Sequence, residues 1–474
     1  MKNIYAGWEG QNKIMANMQP KKTSIPETSA DKRIKNFCEV TLGYTEDMAI
    51  NEANRCLKCK NKPCVAGCPV NVNIPEFIEK ICEKNFTEAY NIIKDTNSLP
   101  GVCGRVCPQE RQCEVKCVRG IKNEPVGIGR LERFAADYAA KSSDTIFKSP
   151  QKNNIKTAVI GSGPAALSCA GDLLKFGYDV TIFEALHAPG GVLRYGIPEF
   201  RLPRNILDNE INQLKKMGAD LKLNTVIGKT IFIEELFEME YKAIFVGTGA
   251  GLPRFMNIPG EGLMEVYSAN EFLTRINLMK AYDDRFDTPI INIKNVAVIG
   301  GGNVAMDAAR CALRLGAKSV NIIYRREMEQ IPARKEEIHH AMEEGVSFKF
   351  LTNPVKIIGD EQGHVKGIEC IKMKLGEPDE SGRQSPSVIE NSNFSFECDT
   401  VIIAIGNLPN PLVSSSYPEI KTNQKGCIVA DEETFKTSVN GIYAGGDIVT
   451  GAATVILAMG AGKKAAAAMH EYLK

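Results

Sequence analysis

The stretch that most constrains this chain is NVAVIGGGNVAMDAARCALRLGAKSVNIIYRRE, residues 295–327. It starts with an apolar β run at 296–299 and turns through Gly300, Gly301 and Gly302. A helical pattern follows, with Val304, Ala308, Cys311, Ala312 and Leu315 on one side. A second apolar run at 320–324 ends in Arg325 and Arg326. Strand, glycine turn, helix and strand make the unit that seats a dinucleotide pyrophosphate on a helix N-terminus. Gly300 permits the tight turn, and Gly302 lets the backbone approach the phosphate, with Asn303 and Val304 opening the helix behind it. Ala305 stands where a third glycine often sits. An acid at the end of the second strand would hold a ribose 2′-hydroxyl, whereas two forked cations suit a 2′-phosphate, so the unit reads as a site for NADPH.

The pattern occurs a second time, in KTAVIGSGPAALSCAGDLLKFGYDVTIFEA. The run at 157–160 leads into Gly161, Gly163, Pro164, Ala165 and Ala166, and the run at 180–183 ends at Glu184. Here the acid is present, which suits an adenosine ribose hydroxyl and FAD. One flavin fold and one nicotinamide fold are what a flavin reductase needs. Residues 189–203, PGGVLRYGIPEFRLP, have the glycines and prolines of a loop passing close to a flat ligand, with Gly191, Leu193 and Arg194 as its candidate contacts. The runs AIFVGTGA and TVIIAIGNLPN read as strands meeting a ligand crevice at Gly249 and Gly406. Near the C-terminus GIYAGGDIVTGAATVILAMGAGKKAAAAM gives a strand, then Gly446 and Asp447, then a small-residue helix from about Thr454. Asp447 reads as a flavin contact, the alternative being a helix N-cap. If this piece returns to the first fold, the NADPH fold is inserted in the FAD fold.

Fifteen cysteines stand out in the composition, and ten of them lie between Cys38 and Cys117. A secreted disulfide framework would need an export signal, and the N-terminus lacks the apolar core of one. The first run, RCLKCKNKPCVAGCPV, carries Cys56, Cys59, Cys64 and Cys68; the second, VCGRVCPQERQCEVKCVRG, carries Cys103, Cys107, Cys113 and Cys117. Thiolates at this density, with Pro69 and Pro108 directly after cysteines, suit iron–sulfur clusters. Zinc competes, but it wants two Cys-x2-Cys pairs and only Cys56/Cys59 supplies one. Apolar spacing over 74–93 predicts a helix between the runs, hence an all-helical cluster domain. The remaining cysteines and the five histidines (His187, His339, His340, His364, His470) read as structural. The run RREMEQIPARKEEIHHAMEEG reads as a solvated loop and helix, with Arg334 within reach of the NADPH phosphates.

Together these motifs resemble the small (β) subunit of NADPH-dependent glutamate synthase. They are also similar to the N-terminal part of dihydropyrimidine dehydrogenase and to the large subunit of NADH-dependent ferredoxin:NADP oxidoreductase. The resemblance covers the chain from about Lys35 and includes IGRLERF, YRRE and YAGGDIVTGAATVI. It implies FAD, NADPH and two [4Fe-4S] clusters. One cluster would take Cys56, Cys59, Cys64 and Cys117; the other Cys68, Cys107, Cys113 and, within IGRLERF, Glu132, with Cys103 a spare thiol. No catalytic acid–base residue is expected, because the cofactors carry the hydride transfer.

The expected fold is α/β: an N-terminal all-α two-cluster iron–sulfur domain, then two doubly wound Rossmann-like domains, the NADPH one inserted in the FAD one. The expected segments are an arm at 1–36, extended or partly ordered; the helical [4Fe-4S] domain at 37–147; FAD-binding parts at 155–290 and 406–474; and the NADPH-binding domain at 291–405. The resemblance implies that electrons pass from NADPH through FAD and the clusters to a glutamate synthase large subunit, which reduces an imine formed from 2-oxoglutarate and glutamine. A bifurcating transhydrogenase, with ferredoxin and a flavoprotein subunit as partners, is the alternative; a non-catalytic metal-binding scaffold or sensor is the reading of another class. The chain opens Met1-Lys2, with no N-terminal cysteine nucleophile, and has no stretch to spare for an FMN barrel, so glutamate synthesis by this chain alone is not expected. A net charge of +1 gives no argument for nucleic acid, and no apolar run of about 18 residues argues for a membrane. A cytoplasmic enzyme, as a subunit or homo-oligomer, is expected.

Overall fold

The computed structural model describes residues 17–141, 151–289, 293–378 and 384–474. Residues 1–16 of the expected arm and 142–147 at the end of the expected helical domain therefore lie outside the described residues.

The first third is helical. Ile74, Phe77, Ile78 and Ile81 recur at helical spacing and are buried on α1 (Ile74–Cys82). The helix expected over 74–93 is two: Lys84 turns the chain at φ +59°, and the Asn85 side chain accepts from Glu88 N at 3.2 Å to start α2 (Phe86–Thr96). α3 (Pro100–Val106) then crosses α4 (Ile128–Lys141) so closely that a Cβ on Gly104 would stand 2.6 Å from the Arg133 backbone. Residues 17–36 run mostly without regular secondary structure and are anchored through Arg33. Arg33 is 2% exposed, and its guanidinium reaches Glu343 at 2.7 Å and Glu344 at 2.8 Å.

Strands β1 (Lys156–Ile160), β2 (Asp179–Phe183), β3 (Asp220–Lys222) and β4 (Ala243–Val246) form a parallel sheet. Its fifth strand comes from the far end of the chain, giving the order β16-β4-β1-β2-β3, with Ile442 opposite Ile244. That strand, β16, is Ile442–Ala444. The C-terminal piece thus completes the first fold. The helix after β1, α5 (Pro164–Lys175), carries Leu167, Ala170 and Leu173 into one continuous core with Ile74 and Leu131 of the helical domain.

Between the two pieces the chain makes a second parallel sheet. It leaves through β5 (Leu252–Pro253) and returns through β15 (Asn407–Leu408), which pair antiparallel. In between lie β6 (Val266–Ser268), α6 (Ala269–Asn277), β7 (Asn295–Ile299), α7 (Asn303–Arg314), β8 (Ser319–Ile323), α8 (Lys335–Glu343), β9 (Ser347–Lys349) and β14 (Thr400–Ile403). The sheet order is β6-β14-β7-β8-β9. This corrects the boundary expected at 290/291: β6 pairs with β14, and Phe272, Leu273 and Ile276 of α6 pack in the second core, so the inserted unit starts soon after β5. An antiparallel β10 (Thr352–Gly359), β11 (Val365–Pro378), β12 (Gln384–Val388) and β13 (Phe394–Phe396) closes it.

Candidate functional site

At the end of β1, Gly161 (φ +97°) brings the chain against β4's end, where a Cβ would meet the Gly247 carbonyl at 2.6 Å. Gly163 caps α5, Pro164 stands in its first turn, and a Cβ on Gly163 or on Gly249 (φ +71°) would meet nothing within 4 Å, so space for a ligand remains beyond both. Glu184 ends β2 as expected and is 6% exposed; its carboxylate accepts from the Ser162 hydroxyl and, at 2.9 Å, from Leu186 N. The 189–203 loop does pass over this turn: a Cβ on Gly191 would stand 2.9 Å from Gly163 Cα. Two of its expected contacts turn elsewhere. Leu193 is fully buried, and Arg194 donates to the Pro189 carbonyl at 2.6 Å and pairs with Asp208, so both brace the loop.

The C-terminal piece brings Gly446 (φ +79°) to the same place, its Cβ direction 2.8 Å from Ala165 Cβ. Burial pushes the Asp447 carboxyl up to about 6, against a backbone hydrogen bond from Ala453 N. Thr454 caps the last helix, α9 (Val455–Leu473), by accepting from Leu457 N at 3.4 Å. Ala166 lies behind, fully buried. Two helix N-termini, at Gly163 and Thr454, thus flank one glycine-lined hollow, a donor set that fits a dinucleotide pyrophosphate. Val192 and Leu457, about half exposed, offer apolar surface beside it that the motif reading did not single out.

The second fold repeats the device. Gly300 (φ +139°) turns where a Cβ would stand 2.3 Å from the Ala404 carbonyl, and open space lies beyond Gly302 and Gly406. Val304, in α7's first turn, is exposed. Arg325 is exposed at the end of β8, whereas Arg326 is buried and donates through Nε to the Gln384 carbonyl at 2.9 Å. The Asn303 side-chain oxygen accepts from Arg334 N at 2.9 Å. Arg334 itself turns away from the phosphate position: its guanidinium donates to the Arg105 carbonyl at 2.5 Å and to Gln109 at 3.3 Å, in the helical domain.

The cysteines gather into two groups. Cys56, Cys59, Cys64 and Cys117 line one pocket, walled by Ile74, Ile78 and Val126 and opening past Leu57 and Val118. Burial raises the Cys64 thiol to about 11, and Cys56 and Cys117 beside it push the same way. Cys68, Cys107, Cys113 and Glu132 form the second group. Burial raises Cys68 to about 11, with Glu132 and Cys103 adding to it. Cys113 is raised by burial and by Glu114, Glu132 and Cys68, and Cys107 by its hydrogen bond with Cys103 and by burial. Burial lifts the Glu132 carboxyl to about 8 against a hydrogen bond from Asn97. Cysteines gathered in these two buried groups offer sulfur donors of the kind that hold a soft metal, which fits iron in both. The second group lies against α9, with Cys103 Sγ 3.5 Å from Met459 Sδ and the Cβ direction of Gly460 3.0 Å from the Pro69 carbonyl.

The segment expected as a solvated loop and helix is instead part of a buried ion cluster. Arg201 reaches Asp307 at 2.6 Å and Glu337 at 3.1 Å, while Arg310 and Arg314 hold Glu344 at 2.8 and 2.6 Å. Phe200 lies under both arginines, 4.6 and 4.0 Å from their guanidinium carbons. The cluster locks the flavin-side loop to α7 and α8. Its only sequence signal was the arginine density of residues 194–204 and 310–314. Among the histidines, His340 Nε2 lies 3.1 Å from Glu27, His364 Nδ1 2.9 Å from Glu265, and His470 Nδ1 2.9 Å from the Tyr178 hydroxyl.

Comparison with known proteins bears on these arrangements. Residues 33–144 match the family described as dihydropyrimidine dehydrogenase domain II, 4Fe-4S cluster, and residues 155–468 match the pyridine nucleotide-disulphide oxidoreductase family. The chain is 35% identical over 452 residues to the glutamate synthase [NADPH] small chain of Azospirillum brasilense, covering 94% of this chain and 93% of that one. It is 34% identical to the corresponding Escherichia coli protein, covering 92% and 94%. It is 40% identical over 436 residues to the NADP(+)-dependent formate dehydrogenase subunit beta of Moorella thermoacetica, covering 87% of this chain but spanning only 60% of that relative. Among solved structures, Mycobacterium tuberculosis FprA in complex with NADPH superposes with a TM-score of 0.56 at 21% identity, over 68% of this chain and 85% of that one. Among the described residues, no helix is long and apolar enough to cross a membrane.

Proposed function

We infer the function from one premise: this chain belongs to the glutamate synthase [NADPH] small-chain family. It is an NADPH-dependent oxidoreductase that uses FAD and 4Fe-4S clusters. Beyond that membership, the chain acts as an electron-input subunit, and its partner is a large subunit that reduces the imine derived from 2-oxoglutarate and glutamine. Cys56, Cys59, Cys64 and Cys117 hold one cluster; Cys68, Cys107, Cys113 and Glu132 hold the other.

The observation that carries this reading is the order of the sites. The second cysteine group packs on α9, whose N-terminus flanks the flavin hollow, and the first opens to the surface past Leu57 and Val118. FAD bound here would supply hydride-accepting chemistry, and the clusters would supply one-electron transfer. The chain's own residues supply position. Gly300 and Gly302 seat the nucleotide pyrophosphate, and Arg325 meets its 2′-phosphate, with Arg326 fixing the strand end behind it. Gly161, Gly163, Glu184, Gly446 and Asp447 seat the flavin nucleotide, and Arg201, Asp307 and Glu337 set the distance between the two folds. A second reading rests on the formate dehydrogenase relative: with a different partner subunit, the same path delivers electrons to NADP(+).

The test uses the chain purified without oxygen, with FAD and iron intact, given NADPH, 2-oxoglutarate and glutamine. Rapid dye reduction without glutamate, and glutamate on adding a large subunit, supports the input role. Glutamate from this chain alone overturns it.

A further inference from the structure

We propose that Asn97 is the positioning residue that selects Glu132, and not the adjacent Cys103, as the fourth ligand of the second iron–sulfur site. The proposal rests on the reading of Glu132 as a ligand given above.

Asn97 belongs to neither cysteine run. It follows α2 as its C-cap and is fully buried. The chain fixes which way its amide faces. Leu99 N, two residues on, donates to Asn97 Oδ1 at 2.9 Å, an Asx-type turn. The amino end therefore points the other way, and Nδ2 donates to Glu132 Oε1 at 2.7 Å. A flipped amide would set two donors face to face at Leu99 and two acceptors face to face at Glu132, so one assignment satisfies both neighbours. The same Oδ1 lies 3.6 Å from Cys103 Sγ, with the thiol as donor.

One buried amide thus grips both rivals for a single ligand position. Four cysteines, Cys68, Cys103, Cys107 and Cys113, and one carboxylate compete for four places on a cluster. By donating to Oε1, Asn97 aims the Glu132 carboxylate and leaves Oε2 for iron. Its Oδ1, accepting from Cys103 Sγ at 3.6 Å, holds that sulfur against the amide. Partners of this kind fix the orientation of metal ligands, and their loss typically costs about 10–100-fold in metal affinity or activity. A plain helix-end role would require only the Leu99 contact.

The experiment uses the holoenzyme purified without oxygen, with iron, acid-labile sulfide, flavin content, the electron paramagnetic resonance of the reduced clusters and their potentials as readouts. Asn97→Ala should keep the flavin and the first cluster, and change the signal and potential of one cluster only. The expected shift is at least tenfold in the balance between its oxidation states, which is about 59 mV for a one-electron couple. Cys103→Ser alone should behave as the parent. Asn97→Ala with Cys103→Ser should lose more iron than the two single variants summed. Asn97→Asp keeps the shape and the Leu99 acceptor but removes the donor; it should shift the same cluster, and it decides the matter if Asn97→Ala fails to fold. Asn97 variants with parental signals and potentials, changed only in thermal stability, overturn the positioning role. Glu132→Ala separates the two ideas: unaltered iron and spectra there overturn the ligand reading itself, whereas an altered cluster alongside silent Asn97 variants overturns only the role of Asn97.

Discussion

Gly462→Ala tests how the last helix builds the flavin site. Gly460 and Gly462 lie two residues apart on α9, hence about 200° apart around the helix, and each faces backbone from a different part of the chain. A Cβ on Gly462 would stand 2.0 Å from the Ala165 carbonyl oxygen, where ordinary contact starts at 3.4 Å, so α9 and the first turn of α5 must separate by 3.4 − 2.0, about 1.4 Å. Overpacking of this kind costs about 1–3 kcal/mol. A contact against rigid backbone belongs at the top of that range. The better helix propensity of alanine returns about 1 kcal/mol, leaving a net loss of about 2 kcal/mol. The cost for the cofactor is separate. Ala165 sits in the turn that seats the flavin pyrophosphate, and a displacement of that size breaks at least one hydrogen bond to a charged group, about 1.5–3 kcal/mol. FAD affinity should fall about 10–100-fold. The assay is removal of the flavin, reconstitution, and titration with FAD by fluorescence. Gly460→Ala is the control, because its Cβ meets the Pro69 carbonyl at 3.0 Å on the cluster side; it should spare FAD affinity and disturb the cluster next to Cys68. A Gly462→Ala protein that binds FAD within twofold of the parent, at the same thermal midpoint, would refute the argument.

Further outcomes follow from the same geometry. Arg325→Ala should lower kcat/KM for NADPH about 10–100-fold, the loss of one charge-assisted phosphate contact, while leaving NADH unchanged; an unchanged ratio of the two efficiencies sinks the assignment. Cys64→Ser should remove about half of the iron and none of the flavin, since it disables one of two clusters; full iron content would dissolve the first ligand set. Glu344→Gln removes the carboxylate that Arg33, Arg310 and Arg314 share, leaving Arg33 on Glu343 and Arg310 on Glu337 while Arg314 loses its partner, and should cost about 3–5 kcal/mol, read as denaturant stability. The same cluster sets a pH window. Burial alone would raise Glu344, but hydrogen bonds from Arg314 and Arg310 hold it at about 2, and Glu337, opposed by burial in the same way, is held at about 2 by Arg201 and Arg310. Their stabilisation is complete above the ordinary 4.5 and is lost as pH falls towards 2. Asp307 runs the other way: burial raises it from 3.8 to about 6 despite Arg201, so its contribution is full below 3.8 and is lost as pH rises through about 6. The thermal midpoint should therefore be highest between about 4.5 and 6, and Glu344→Gln should flatten the acid limb of that profile.

The two glycine turns, the positions of Glu184 and Arg325 just past β2 and β8, and the grouping of the cysteines were legible because each is a local device. A strand that must turn within three residues into a helix needs glycine wherever φ is positive, and that need is written at the position itself. Among the assignments that changed, three depend on partners that the motif itself does not mark. Strand β6 looks like part of the first fold until its pairing with β14, more than a hundred residues on, is known. Arg334, eleven residues past the end of β8, donates to Arg105 and Gln109 in the helical domain instead. Arg194 braces its own loop.

By itself the sequence determined which cofactors this protein carries, since turn geometry and thiolate density are properties of short segments. The tertiary structure alone decided how those sites are arranged: β16 closing the first sheet, α9 touching the flavin turn on one side and the cluster loop on the other, and Arg201, Arg310 and Glu344 fixing one nucleotide fold against the other. The physical reason is that a buried charge or a backbone-to-backbone contact takes its free energy from the partner that desolvates it, and that partner's position along the chain leaves no mark at the residue itself.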